Sequence, residues 1–451
     1  LAVALIAALL MVGRADGLPA EAYRALGIFT LCLYLWVTQI IPLAATGLLA
    51  IALVSMIGIM TPARAFSFFG NSAVFFLLGV FLLTAAMIRT GLSKRLTLLF
   101  LERFDRSPRF LLLGVLTASA VLALFMPEHA VAAMIFPVVL EVVKALELKP
   151  YGSEYGKALF IAMGWGAIIG GVGTFLGGAR APLAVELLAN SYGIRISFLQ
   201  WAVAVMPVVP LMLVPAYFML SRSFRMDVTD VTRARLFLQN EIRRIGPPSP
   251  REYRMGALML LTIITWVFLG HRVNLATISI LAATGLFFLR VVRWHEVEEY
   301  VNWGVIVMYG GAIMVGNALT ETHAIEWVTT NLLGIGGLSP FGIMIFLIVA
   351  SILLTEGISN VATVAVMVPL GFGLVESLHI SPLLVVLAVT VPAGLPFCLP
   401  IGSPPNAIAY SSRFFDVGDV IRRGLFLNLA AVIILILVAR FYWPLLGLVN
   451  W

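Results

Sequence analysis

Residues 339–378 read SPFGIMIFLIVASILLTEGISNVATVAVMVPLGFGLVESL, an apolar segment of 40 residues. Its centre, residues 355–360, is polar and contains residues that interrupt helices. A hydrocarbon core about 30 Å thick needs roughly 20 apolar helical residues to cross it. The segment therefore predicts either two crossing helices or one re-entrant helical hairpin that returns to the side from which it started.

A second segment of the same kind stands earlier in the chain, at residues 109–147. Its centre is Met126-Pro127-Glu128-His129, and Pro127 stands ten residues before Pro137. In the later segment, Ser359 likewise stands ten residues before a proline. Each segment is followed by a span that Gly and Pro interrupt. We predict these two broken helices at 157–190 and 383–412.

The composition fixes the broad class of the protein. Of 451 residues 61% are hydrophobic and 11% are charged, against about 25% charged in soluble domains. Such a chain cannot bury its apolar residues inside a globule, so we predict an all-α polytopic membrane protein. Besides the two long segments, the predicted spans number eleven: 1–13, 25–41, 44–60, 73–90, 157–176, 199–221, 254–270, 273–290, 302–320, 383–398 and 424–448.

The basic residues predict how these spans are oriented, because cytoplasmic loops carry the excess of Lys and Arg. With both long segments re-entrant, 22 of the 29 basic residues fall in inner loops and five in outer loops. This places the N-terminus in the cytoplasm and the C-terminus outside, in the inner membrane of a prokaryote. The inner loops are 89–109, 144–157, 222–254, 290–293 and 413–423.

The net charge of +7 is thus a topology signal, and we expect lipid rather than nucleic acid around the chain. The chain divides into a first repeat, 1–221, a solvated cytoplasmic linker, 222–253, and a second repeat, 254–451, whose last helix is 424–448. One repeat begins its hairpin from inside and the other from outside. The predicted fold therefore has two inverted-topology repeats, each with a re-entrant hairpin and a broken helix.

Interrupted helices at membrane depth point to a binding site. Free backbone groups in hydrocarbon cost several kcal/mol, so they occur where protein or a water-filled cavity satisfies them. Half-helix N-termini attract anions, and unwound carbonyls with Asn or Ser oxygens bind Na⁺. We therefore expect a small anion as the ligand, with a cation beside it.

The second repeat resembles the divalent anion:sodium symporter family. Ser359-Asn360-Val361 is similar to the family's Ser-Asn-Thr hairpin tip, and Gly402-Ser403-Pro404-Pro405-Asn406 to its Gly-Thr-Pro-Pro-Asn loop. Asn302-Trp303-Gly304, followed by Gly310-Gly311, is similar to the start of the family's ninth span. The order and spacing of these motifs agree over nearly the whole chain.

The resemblance implies a secondary transporter of dicarboxylate, citrate or sulfate that works as a homodimer, with a static scaffold and a transport domain that moves as an elevator. It implies no cofactor other than a Na⁺ ion, held at Asn360 and Gly402, with Thr363 one turn away. The substrate-binding residues that it implies are Ser359, Asn360, Ser403, Pro404 and Asn406.

The first repeat departs from the family pattern at the equivalent positions. Pro127-Glu128-His129 replaces the Ser-Asn-Thr tip, and Gly177 is followed by Gly178-Ala179-Arg180 instead of the Pro-Pro-Asn sequence. Arg180 either pairs with Glu128 or supplies a cation to the substrate, in place of a lost Na⁺. Glu128 and His129 either load a proton or are structural. We count Gly177, Glu128 and His129 among the candidate ion-coupling residues, and Arg180, Glu128 and His129 also among the candidate substrate-binding residues.

Three coupling modes remain open from the sequence: symport with H⁺, symport with Na⁺ at one site, and exchange. An anion channel or facilitator is the first alternative to a transporter, and an intramembrane hydrolase the second. No HExxH motif supports a metallohydrolase, so we predict that the chain is not an enzyme. Glu356 is predicted to brace the second hairpin, and residues 92–105 to form an interfacial helix.

Overall fold

The computed structural model describes residues 18–324, 327, 339–378 and 380–448. The predicted first span, 1–13, lies outside these residues. In the described part of the chain, every regular element is a helix. The all-α class is therefore confirmed.

Among the described residues, twelve α-helices precede the end of the linker. They are α1 (Ala20–Thr38), α2 (Leu43–Met56), α3 (Pro62–Ser67), α4 (Ser72–Thr90), α5 (Leu92–Glu102), α6 (Pro108–Ala123), α7 (Glu128–Ala145), α8 (Glu154–Gly171), α9 (Arg180–Tyr192), α10 (Phe198–Val205), α11 (Val208–Ser223) and α12 (Thr232–Ile245).

Ten α-helices follow, together with short 3₁₀ turns and one π-helical segment, Val438–Tyr442. They are α13 (Pro250–Leu269), α14 (Leu275–Phe288), α15 (Trp294–Val297), α16 (Trp303–Glu321), α17 (Pro340–Gly357), α18 (Asn360–Leu378), α19 (Pro382–Thr390), α20 (Pro404–Tyr410), α21 (Val417–Leu437) and α22 (Trp443–Leu445).

Among the described residues, seven helical runs are long and apolar enough to cross a membrane, and five shorter apolar helices accompany them. Each of the ten predicted spans within the described residues contains helix, although the helix in 383–398 ends at Thr390, and the count of eleven spans stays a prediction. The structure differs from the prediction at 199–221, where Pro207 separates α10 from α11. The last helix also begins earlier than predicted, at Val417, and passes into the π-helical segment.

The two long apolar segments have the same internal design. Each begins with a Ser-Pro pair whose serine hydroxyl accepts a backbone N–H three residues on: Ser107 caps α6 and Ser339 caps α17. Each is then interrupted at its polar centre, and a second helix follows that contains a proline, Pro137 or Pro369. The sequence thus forms two helix–break–helix units.

The linker contains a helix. This α12 is amphipathic, with Ala234 and Leu238 buried, and packs against both α5 and α7. Most of the linker is exposed or half-buried, and its cytoplasmic position stays a prediction. The predicted interfacial helix at 92–105 corresponds to α5.

Six ion pairs join segments that the charge count places on the cytoplasmic face. They are Lys94–Glu241, Arg95–Glu252, Arg233–Glu147, Arg235–Asp105, Lys157–Asp419 and Arg251–Glu296. The hydrogen bond from Lys94 holds the pKa of the Glu241 carboxyl below its usual value. Arg64 and Glu321, both predicted outside, pair with each other. The ion pairs thus join inner loops to inner loops and one outer segment to another, as the distribution of basic residues predicts.

Small residues bring two pairs of helices into close contact. A Cβ added at Gly311 of α16 would overlap the backbone of Gly47 in α2. A Cβ at Gly79 of α4 would lie 2.6 Å from the Cβ of Ser279 in α14. Backbone approach at small residues is a common way to pack helices in membranes. These contacts join α2 to α16 and α4 to α14.

We predict that Gly311→Ala lowers stability, because the new methyl group must push α16 away from α2. Overpacking of this kind costs about 1–3 kcal/mol. Gly418→Ala is the matched control, since Gly418 also lies in a helix and a Cβ there meets nothing within 4 Å. Thermal unfolding of the purified variants, followed by tryptophan fluorescence, measures the difference. Equal melting temperatures for the two variants would contradict the prediction.

Candidate functional site

The tips of the two helix–break–helix units meet at the side chain of Glu128. The Glu128 backbone N–H donates to the Gly177 carbonyl at 2.8 Å, which fixes the first tip on the first broken helix. One carboxylate oxygen accepts from Arg180 Nη1 at 3.1 Å, and the other from Asn360 Nδ2 at 3.1 Å. Glu128 is 4% exposed. One buried carboxylate therefore links both tips and the first break.

Arg180 is the first residue of α9 and lies in a slot that glycines form. It is 3% exposed, and a Cβ at either Gly178 or Gly394 would overlap its guanidinium. Among the described residues none accepts a hydrogen bond from Arg180 Nη2, although this atom is buried. An unpaired buried donor is costly, so this nitrogen is available to an anionic ligand.

Thr355 links the second tip to the second broken helix. Its hydroxyl oxygen lies 2.9 Å from Asn360 Oδ1 and 2.7 Å from the Ala393 carbonyl oxygen. The hydroxyl carries a single proton, so it donates to one of these two acceptors at a time. Asn360, the first residue of α18, thus lies between Glu128 on one side and Thr355 on the other.

Glu356 braces the second break, in agreement with the bracing that the sequence predicted. Its carboxylate accepts the backbone N–H groups of Phe397, Cys398 and Leu399 at 2.8–3.1 Å. It also accepts from Asn428 Nδ2 at 2.7 Å. The Glu356 carboxylate thus satisfies N–H groups that the interruption of the helix leaves free.

The loop from Gly402 to Asn406 closes the second break. A Cβ at Gly402 would lie 3.0 Å from the Thr355 carbonyl oxygen and 3.2 Å from that of Glu356, so these carbonyls at the end of α17 face the loop. Asn406 Nδ2 donates to the Pro396 carbonyl at 2.9 Å. The Ser403 hydroxyl is buried and has no partner among the described residues, whereas Pro404 is exposed.

The remaining candidates of the second tip make local contacts. The Ser359 hydroxyl accepts the N–H of Ala362, and the side chain is half-buried. Thr363 is fully buried, and its hydroxyl donates to the Ser359 carbonyl at 3.3 Å. The structure thus brings Glu128, Arg180, Gly177, Asn360 and Gly402 into one region, with Ser359 and Thr363 beside it.

The ring of His129 points away from this region, so the structure does not place it beside Arg180 and Asn360, and its role in coupling stays a prediction. Successive residues on a helix are rotated by about 100°, and the ring of His129 contacts Phe81 of α4 edge-on. It lines a cavity of about 710 Å³ whose wall also includes Lys94, Glu241 and Arg244. The histidine therefore faces the side that the charge count places in the cytoplasm.

Two residues of the candidate site were not predicted from the sequence, Thr355 and Asn428. Asn428 is the one amide in the apolar stretch of α21, and this isolation was a usable signal. Thr355 lay inside the quoted break, but its contact with Ala393 joins residues 38 positions apart. Periodicity along the chain cannot predict such a contact.

The cluster offers neutral oxygens, which bind cations, and a guanidinium, which binds anions. No group of three His, Cys, Asp or Glu side chains that could hold a metal occurs among the described residues. Carbonyl and amide oxygens are ligands for hard cations such as Na⁺, and the planar fork of Arg180 matches carboxylate or sulfate.

We predict that Glu356→Gln destabilises the protein and abolishes transport, because the new amide group turns N–H donors toward backbone donors. Hydrogen bonds to a charged group contribute about 1.5–3 kcal/mol each, so we expect a loss of about 3 kcal/mol. Glu321→Gln is the control, since this carboxylate is 41% exposed and surface pairs contribute little. A melting temperature of Glu356→Gln that equals that of the control would refute the bracing role.

Comparison with known proteins identifies the relatives of the chain. Residues 1–449 match the family model for the sodium:sulfate symporter transmembrane region. The sodium-dependent dicarboxylate transporter SdcS of Staphylococcus aureus (strain bovine RF122 / ET3-1) is 28% identical over 454 residues, covering 95% of this chain and 87% of the relative. SdcS of Staphylococcus saprophyticus is 26% identical over 449 residues, covering 93% and 86%.

Two solved structures share the fold. The YdaH transporter of Alcanivorax borkumensis has a TM-score of 0.58 at 15% identity, covering 95% of this chain and all of that one. MtrF of Neisseria gonorrhoeae, described as an antimetabolite efflux pump, has a TM-score of 0.56 at 13% identity, covering 97% of both chains. These identities show the fold alone. The family model spans nearly the whole chain, and the protein belongs to the sodium:sulfate symporter family of membrane transporters, not to the enzymes.

Proposed function

We propose that the protein is a secondary active transporter of small divalent anions, dicarboxylate or sulfate. The observation that carries this proposal is the buried cluster in which Glu128, Arg180 and Asn360 join both tips. A charged group at membrane depth needs a partner or a wet cavity, and such groups mark ion and substrate pathways. The relatives named as sodium-dependent dicarboxylate transporters support the same class of cargo.

The substrate site in this proposal uses donors that the cluster leaves unused. Arg180 Nη2 and the Ser403 hydroxyl are buried and have no partner in the described part of the chain. Asn360 stands at the first turn of α18, where backbone N–H groups attract an anion. Ser359, Pro404 and Asn406 complete the proposed lining. His129 is left out of it.

We place one Na⁺ beside Asn360 and Gly402, where the carbonyls of Thr355 and Glu356 face the loop. In the first repeat the Gly177 carbonyl already accepts the Glu128 N–H, and the Arg180 cation lies nearby. A second Na⁺ there would meet a like charge. Experiment must separate three coupling modes: symport with H⁺, symport with this single Na⁺, and exchange.

Two inverted-topology repeats, with eleven spans and two re-entrant hairpins, form part of the proposal. They are supported by reciprocal packing. The second broken helix packs on the first repeat, α20 on α7 and α8, and the first broken helix packs on the second repeat, α9 on α18 and α19. Likewise α4 packs on α14, and α16 packs on α2.

The proposed mechanism is an elevator. The glycine contacts of α2 with α16 and of α4 with α14 suit a static scaffold, and the cavity beside His129 lies between α4 and α7. A homodimer and residence in a prokaryotic inner membrane, with the N-terminus inside and the C-terminus outside, complete the proposal. The family resemblance and the distribution of basic residues support them.

Uptake of labelled succinate and sulfate into proteoliposomes tests this function. An inward Na⁺ gradient and an inward proton gradient are imposed separately, and counter-loaded vesicles without a gradient test exchange. Accumulation under any of these conditions would support the transporter. Uptake that only equilibrates the anion would favour a facilitator or channel, and uptake of neither anion would exclude the proposed substrates.

We predict that Arg180→Lys raises the apparent KM for the anion about tenfold or more and leaves the protein folded. Lysine keeps the charge that neutralises Glu128, but it lacks the second fork nitrogen. Arg180→Gln should in addition lower stability by about 3–5 kcal/mol, because it leaves the buried Glu128 carboxylate without its cation. Arg64→Lys, an exposed arginine, is the control. An unchanged KM for Arg180→Lys would remove Arg180 from the substrate site.

A further inference from the structure

Two arginines on the predicted outer face line the same cavity. Of the five basic residues that the charge count places outside, the structure describes Arg24, Arg64, Arg195 and Arg272. Arg24 donates to a backbone carbonyl at 3.2 Å, and Arg64 pairs with Glu321. In the part of the chain that the structure describes, Arg195 and Arg272 make no ion pair and no side-chain hydrogen bond, and both line one cavity. Their charges are therefore available to a ligand.

We propose that this cavity is an outer capture site, which binds the substrate dianion through Arg195 and Arg272 before the anion reaches Arg180. This inference rests on the proposed function and adds a second anion site to it. No covalent bond changes in this step. The anion exchanges part of its hydration water for the two guanidinium groups, which are suited to carboxylate and sulfate oxygens.

The size and charge of the cavity suit a small anion. Its volume is about 480 Å³, within the range of roughly 300–1,000 Å³ that small-molecule sites occupy. Two arginines and one glutamate, Glu186, are its charged lining residues, so the net charge is plus one with His271 counted as neutral. A cleft with an excess of one sign concentrates ions of the opposite sign and speeds their binding.

Glu186 does not neutralise the arginines, because other groups hold its carboxylate. One carboxylate oxygen accepts from Asn71 Nδ2 at 2.7 Å, and the other accepts from the Ser72 hydroxyl at 2.9 Å. Asn71 caps α4 and Ser72 begins it, so the carboxylate lies at the positive end of a 19-residue helix. Both oxygens of Glu186 are thus bound by neutral donors, and the two guanidinium groups remain for an anion from outside.

Helix N-termini add to the positive potential of the cavity. Ser197 caps α10 and Asn274 caps α14, and both residues line the cavity together with Ser72 of α4. The N-terminus of a helix carries a partial positive charge of roughly half an elementary charge. Three helices therefore present the same sign of charge to the cavity as the two arginines do.

The cavity leads toward the candidate substrate site along α9. Pro182, Val185, Glu186 and Ala189 of this helix line it, which are positions on one helical face. Arg180 is the first residue of α9 and stands two residues before Pro182, about 3 Å along the helix axis at 1.5 Å per residue. Arg180 itself is buried and is not part of the cavity wall. Capture and final binding are therefore separate steps at neighbouring places.

Transport from each side of the membrane tests this inference. Intact bacterial cells that lack other carriers for these anions expose only the outer face, and inverted membrane vesicles expose only the cytoplasmic face. The variant is the double substitution Arg195→Gln with Arg272→Gln, and labelled succinate or sulfate is the probe. In cells at an ionic strength of about 10 mM and fixed Na⁺, we expect its KM to rise about five- to tenfold, with Vmax within about twofold of the wild type. In inverted vesicles we expect a KM within about twofold of the wild type, because the cytoplasmic face is unchanged.

Two further double variants and a change of salt serve as controls. Arg24→Gln with Arg64→Gln removes the same charge from the same face but away from the cavity, and its KM should stay within about twofold of the wild type. Arg195→Lys with Arg272→Lys keeps both charges and should also stay within about twofold. Choline chloride at about 0.5 M screens charges beyond a few ångströms, so it should bring the wild-type KM close to that of the glutamine variant.

The outcomes separate the capture site from the proposed function. A wild-type KM for the glutamine variant in cells would overturn the capture site and leave the transporter intact. An equal rise of KM in inverted vesicles, or in the Arg24 and Arg64 control, would also overturn it, because a general change of the protein or of its surface charge would then explain the effect. Wild-type protein that transports neither anion would overturn both proposals, because the site would have no substrate to capture.

Discussion

An unpaired backbone N–H or C=O group inside hydrocarbon costs several kcal/mol, and the breaks in the helices of this chain depend on polar partners that remove that cost. The first break uses backbone and hydroxyl groups: Thr174 donates to the Leu124 carbonyl at 2.8 Å, and the Gly177 carbonyl accepts from Glu128. The second break relies on the Glu356 carboxylate. These partners satisfy polar groups at both breaks, and the candidate site lies where the two breaks meet.

The two buried glutamates are therefore held by different kinds of partner. Glu356 accepts from three backbone N–H groups and from Asn428, so its loss would release a whole segment of chain. Glu128 accepts from two side chains, which can turn to another anion without unfolding the backbone. A carboxylate that accepts from backbone N–H groups is suited to a structural role. One that accepts only from side chains can be replaced on them by another anion.

Much of this architecture can be predicted from the sequence, because the length and polarity of its segments determine it. The spans, the two interrupted segments and the broken helices follow from apolar runs of known length, and the loop groups follow from basic residues. The sequence could not predict the direction in which each side chain points. Glu128 and His129 are neighbours with similar chemistry, but helix rotation turns one toward Arg180 and the other toward Phe81.

Contacts between residues far apart in the chain could not be predicted from the sequence either. Asn360 and Glu128 are 232 residues apart, and the interaction exists only because the two units fold toward each other. The sequence indicated Arg180 and Glu128 as a pair through their charges, but Asn360 as the third member is a property of the fold. Likewise the linker helix α12 depends on its packing against α5 and α7.

The distribution of strong and weak contacts also bears on the proposed elevator. The hydrogen bonds of Glu128, Asn360 and Glu356 end on the two units, the broken helices and α21, so the cluster can move as one body. At the predicted cytoplasmic face, ion pairs near water join the region of α5 to α12, and salt screens such pairs, which contribute little each. In the proposed elevator, the buried hydrogen bonds around Glu128 and Asn360 would stay intact while this body moves.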